Sequence, residues 1–81
     1  MDANQCRAAR GLLHWTQEQL SEAAQVGIAT IRKFENDNVE PRRATIAALQ
    51  RALENAGVAF IGENGGGSGV RMKEPRGRSK E

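Results

Sequence analysis

Eighty-one residues with a formal net charge of +2 suffice for one small domain, near the size at which a single apolar core is barely enough. One cysteine excludes an internal disulfide, one histidine leaves no pair of imidazoles to hold a metal, and no apolar run approaches the length that crosses a membrane. Met1 to Glu63 carries seven Lys/Arg against eight Asp/Glu and Asn64 to Glu81 five against two, so any attraction of the body to nucleic acid must come from local grouping rather than from overall charge.

A first helix is predicted from about Asn4 to Leu13, capped by Asp2 or Asn4, with Cys6, Ala9, Leu12 and Leu13 turned inward. Cys6 reads as a small buried hydrophobe in a reducing compartment, a reactive thiol being the alternative. His14 falls in a loop or at the helix end, where a phosphate contact is the one chemical role open to it. Thr16 and Gln19 then have the spacing of a capping box, flanked by Trp15 and Leu20 at the positions of a hydrophobic staple, and Leu20, Ala23 and Ala24 mark the buried face of a second helix. A third begins at Gly27, with Val26 and Ile31 spaced as another staple. It buries Ile31 and Phe34 and leaves Ile28, Ala29, Arg32 and Lys33 on its outer face. About nine residues make a marginal helix that tertiary packing must hold. Two short helices joined by so tight a break suit a pair whose second member is laid in the DNA major groove, although periodicity alone also fits an ordinary pair of packed helices.

Asn36 to Arg43 reads as a loop, because Asn and Asp supply turn chemistry and Pro41 stops a continuous helix. A fourth helix is predicted from about Arg43 to Ala56, with Ile46, Leu49, Leu53 and Ala56 on one face and Gly57 as its stop signal. The chain changes character at Val58: Val58 to Gly62 and Val70 to Lys73 are β-favouring runs on either side of a glycine-rich stretch, the pattern of a hairpin. The last residues, EPRGRSKE, are polar and proline-broken, and disorder is expected there.

From Cys6 to Ala56 the chain resembles the Xre/Cro repressor-like helix-turn-helix proteins, on Thr16-Gln17, Leu20, Ala24, Val26, Thr30-Ile31 and Glu35 at the family's spacing. The resemblance implies that Arg10 and Glu35 form a structural ion pair across the domain. It also implies a mainly α fold of four helices, here followed by a short strand or hairpin in place of the further helix many members carry; some short relatives have a similar GVxF segment followed by glycines. The chain departs from the pattern with Gln25 in the turn, where the family usually has Gly, Gly27 as the cap of the third helix, often Ser, and Asp37 at its close, often Gly. The organisation expected is a DNA-binding domain over 1–57, a β extension over 58–73 that serves as a dimerisation element, and a disordered tail over 74–81.

The function this implies is sequence-specific binding of double-stranded DNA by a cytoplasmic transcriptional regulator, a repressor acting as a homodimer on a palindromic operator and encoded by a bacterium or phage. Base reading falls to Ile28, Ala29, Arg32 and Lys33, since Arg and Lys donate to guanine while Ile and Ala meet thymine methyls. Phosphate contacts fall to Thr16, Gln17, Thr30, Asn36, Arg42 and Arg43. Val58, Phe60 and Ile61 are the expected dimer interface, pairing strand to strand between copies; the alternative is that Phe60 folds back onto its own bundle. A second function of a different class is an antitoxin-like interaction module whose C-terminal segment binds a partner protein. An enzyme is not expected. The chain has no tyrosine, and its GGGSG run lacks the lysine and the strand-to-helix setting of a phosphate-cradling loop, so no cofactor and no metal are expected. The opening MDANQCRAARG has none of the features of a signal peptide.

Overall fold

The structure, a computed structural model, describes residues 1–62 and 68–74. Residues 63–67 of the expected glycine-rich turn, 63–69, and nearly all of the expected disordered tail lie outside the described residues. Four helices and a hairpin follow one another: α1 Ala3–Leu13, α2 Gln17–Ala24, α3 Ile28–Asp37, α4 Arg43–Asn55, β1 Val58–Ile61 and β2 Gly69–Met72.

Start signals written into the sequence close the first two helices. Asp2 accepts from the Gln5 amide at 2.8 Å while Gln5 Oε1 accepts from the Asp2 amide at 2.9 Å, so α1 begins one residue before the predicted start. Thr16 and Gln19 form the same reciprocal pair at the head of α2, at 3.0 and 2.8 Å. Each box satisfies amides that a helix start leaves free. Ends are made by left-handed residues: His14, Gln25 and Asn38 have φ of 58°, 59° and 56°. The third corrects an expectation, because Asp37 is the last residue of α3 and Asn38 takes the left-handed position, its amide and that of Val39 both donating to the Lys33 carbonyl. Asn is, after Gly, the residue that tolerates this conformation best.

Cys6, Ala9, Leu20, Ile31, Phe34, Leu49, Ala52, Leu53 and Val58 are the enclosed centre, with Leu13, Trp15, Ala24 and Val26 half-buried against it. Ala23 lies in solvent and not in the core. At 100° per residue it sits off the stripe that joins Leu20 to Ala24, one turn apart.

Gly57, at φ 116°, carries the chain from α4 into β1, and its carbonyl accepts from the Lys73 amide at 2.8 Å. β1 and β2 pair antiparallel in the register Val58↔Met72, Ala59↔Arg71, Phe60↔Val70 and Ile61↔Gly69. Alternation turns Val58, Phe60, Val70 and Met72 toward the core, and Ala59, Ile61 and Arg71 away from it. The pairing is therefore within one chain. Val58 is wholly enclosed there and offers no side chain to a second copy, and Phe60 is half-buried on its own core; of the three residues expected at a dimer interface only Ile61 is substantially exposed, at 39 %. Gln5 ties the hairpin down: buried on α1, its Nε2 donates to the carbonyls of Gly69 at 3.0 Å and Ile61 at 3.3 Å, the last pair of the ladder.

Candidate nucleic-acid interface

α3 is held by one carboxylate. The Glu35 side chain, fully buried, accepts from Arg10 Nη2 at 2.6 Å and Nε at 2.9 Å, from Gln17 Nε2 at 2.9 Å and from Cys6 Sγ at 3.1 Å, so three side chains from α1 and α2 converge on α3. Arg10 also donates to the Trp15 carbonyl at 2.9 Å, and Arg7 to the carbonyl of Glu35. Burial alone would raise the Glu35 pKa; the hydrogen bonds from Arg10, Gln17 and Cys6, with the charge of Arg10, reverse that and leave it below the ordinary value of 4.5. The bond from Arg10 to Glu35 raises the arginine in turn. Burial pushes the Cys6 thiol well up, which keeps the proton it donates. Cys6 is thus one of the carboxylate's donors as well as the small core residue the sequence suggests.

Gln25 connects α2 to α3 in the left-handed region where a glycine would sit without a clashing Cβ. Ser21 brackets this turn: its carbonyl accepts from the Gln25 amide and the Val26 amide, and its hydroxyl donates to the Val26 carbonyl at 2.5 Å. Gln25→Gly is expected to raise stability by about 0.5–1 kcal/mol, the strain relieved less the extra backbone entropy of glycine. Thermal unfolding measures it, and a lowered midpoint would mean that Gln25 carries no strain.

On the outer face of α3, Ala29, Arg32 and Lys33 are exposed, while Ile28, expected beside them, is half-buried. Thr30 and Lys33 join Val39, Pro41, Arg42 and Thr45 around an open cleft of about 400 Å³ between α3 and the start of α4. α4 begins there with no side-chain cap and no acidic residue in its first turn, so its first amides are available to an anion. Arg43 and Asn36 are exposed nearby in sequence but do not line the cleft. Thr16 lies exposed at the head of α2, and since its oxygen accepts from Gln19, its own O–H proton remains to be donated. Gln17 has a role the sequence did not suggest: it donates one of its two amide N–H groups to Glu35, which makes it a brace for α3.

Sequence reasoning missed Thr45, Val39 and Pro41 in the cleft, and Glu18, whose carboxylate lies 3.7 Å from the Arg32 guanidinium. Only Thr45 had a signal, a hydroxyl in the first turn of a helix that opens with Arg42-Arg43.

Two short helices joined at a sharp left-handed turn, the second braced from behind and bare in front, beside a cleft of cations, hydroxyls and free amides, define a helix-turn-helix DNA-binding domain. Comparison with known families agrees: the helix-turn-helix family matches residues 7–55, and the chain belongs to this Xre/Cro-like family of DNA-binding transcriptional regulators. The match ends before β1, so the hairpin stands outside it. No curated protein matches the chain. Among the described residues no helix is long and apolar enough to cross a membrane, and no group of His, Cys, Asp and Glu could hold a metal.

Proposed function

We propose that the protein is a sequence-specific repressor that binds a palindromic operator in double-stranded DNA as a homodimer, in the cytoplasm of a bacterium or of a phage-infected cell. Its activity in this reading is binding and involves no catalytic step. The exposed row Ala29, Arg32 and Lys33 carries the reading, because it is set beside a cleft lined by Lys33, Arg42, Thr30 and Thr45, side chains that can donate to a phosphate. Lys33 and Arg32 donate to guanine edges, and Ala29, with the accessible part of Ile28, meets thymine methyls. Arg42, Thr30 and the first amides of α4 grip the backbone through the cleft, with Thr16, Arg43 and Asn36 as outer contacts. Gln17 contributes through its position at the head of α2 more than through its amide.

Residues 1–57 make the DNA-binding unit and 58–73 the assembly element. The hairpin leaves one outer edge on each strand, and an edge invites a further strand. Pairing through such an edge, with Ile61 packed on its copy, closes a two-fold dimer whose recognition helices can stand about 34 Å apart, one turn of DNA.

Selection of bound duplexes from a random pool tests the reading. Enrichment of a sequence with two-fold symmetry is the expected result, and recovery of the pool unchanged would defeat the assignment of base readout. Ile61→Lys tests assembly without opening the core: sedimentation should shift from dimer to monomer, with operator affinity falling in step. A variant that remains dimeric would remove the hairpin edge from the interface.

A further inference from the structure

Resting on the DNA-binding reading, we propose that Glu18 is a specificity-determining residue that acts by positioning Arg32. The pair joins α2 to the outer face of α3: Glu18 Oε2 lies 3.7 Å from Arg32 Nη2, with the two side chains 67 % and 55 % exposed. Among the described residues the side chain of Arg32 has no other hydrogen-bond or ion-pair partner, while the side chains of Lys33 and Arg42 have none at all. Of these three cations, Arg32 is thus the one with a carboxylate beside it.

An arginine on an exposed helix face can reach a guanine edge or the nearer phosphates, and the phosphate contact carries no sequence information. Glu18 shifts that choice in two ways. Its carboxylate sits in the first turn of α2, favourably placed against the helix dipole, on a helix packed against α3 with Leu20 and Ile31 in the shared core, so the backbone that carries Glu18 is held beside Arg32. A guanidinium has five N–H donors, so Nη2 can keep Glu18 while donors remain for the two acceptors of guanine. A swing toward phosphate breaks the pair. The charge of Glu18 also repels the phosphate that a swung Arg32 would meet, which penalises that contact and not the base contact.

Glu18→Gln keeps the shape and removes both effects. It is expected to tighten binding to a random duplex roughly threefold, the size of an exposed pair, and to steepen the salt dependence there by about 0.9 as Arg32 takes one more phosphate. Binding to the selected duplex should not tighten, so the ratio of selected to random affinity falls about threefold or more. Glu22→Gln, also exposed on α2, controls for net charge and should leave the ratio unchanged. In an Arg32→Ala background Glu18→Gln should no longer move the ratio. Equal tightening on both duplexes, or a change in ratio that survives in Arg32→Ala, would overturn the role of Glu18 while leaving DNA recognition standing. A wild-type protein that enriches no duplex would overturn both.

Discussion

Glu35→Ala is expected to cost the free protein about 3–5 kcal/mol, as breaking a buried ion pair from one side does. Arg10 would keep its charge in a site where only 19 % of its side chain is exposed, and Gln17 Nε2 and Cys6 Sγ would lose their acceptor at the same stroke. For a small domain of ordinary stability that is a large share of the total. Denaturant unfolding of the free protein measures it; an unchanged midpoint would mean that the network adds nothing. DNA affinity per folded molecule should fall far less, because Glu35 is on the buried side of α3. Replacing both partners, Arg10→Met with Glu35→Leu, should cost less than Glu35→Ala, since no charge is then stranded. The same carboxylate gives a pH dependence. Its folded pKa lies below 4.5, so its contribution is complete above that value and is lost as pH falls through the folded pKa. Glu35→Gln should accordingly unfold with a shallower acid limb than the wild type.

Lys33→Ala is expected to weaken binding to the selected duplex by roughly 1–3 kcal/mol and to relax preference at one base position, the effect of losing a base contact. Arg42→Ala should weaken selected and random duplexes alike and lower the salt slope by about 0.9, the loss of a phosphate contact. Lys33 stands at the meeting of two surfaces, exposed on α3 and lining the cleft with Arg42, so competition titrations with both duplexes are needed to separate the roles. Identical ratios for the two variants would mean that Lys33 holds the backbone too.

Most of the helical fold was legible because its signals are local. Thr16 and Gln19 announce α2 from three residues apart, and Ile31 and Phe34 or Leu49 and Leu53 reveal their shared face by spacing alone. What escaped were long-range polar contacts. Gln5 looks like any helix-surface glutamine until β1 and β2 arrive more than fifty residues later to offer two carbonyls, and nothing near Glu18 in sequence points to Arg32. Ser21 similarly resembles a solvated serine until the Gln25 turn brings the Val26 carbonyl back to it. The outer face of α3 was readable as a set of residues, whereas the half-burial of Ile28 and the commitment of Gln17 to Glu35 depend on how the helices cross.

The Gln5 tie also bears on the order in which the molecule assembles. Joining residue 5 to the carbonyls of 61 and 69 closes a loop of nearly the whole described chain, and such closures cost more entropy than the short loops within the helix pairs. The α2–α3 pair can therefore form from neighbouring contacts while the ends of the chain are still apart. Because Gln5 also completes the box with Asp2, release of the hairpin loosens the first turn of α1 with it. The first turn of α1 and the described hairpin are thus coupled through one side chain, while α1 as a whole stays joined to α3 through Arg10 and Cys6.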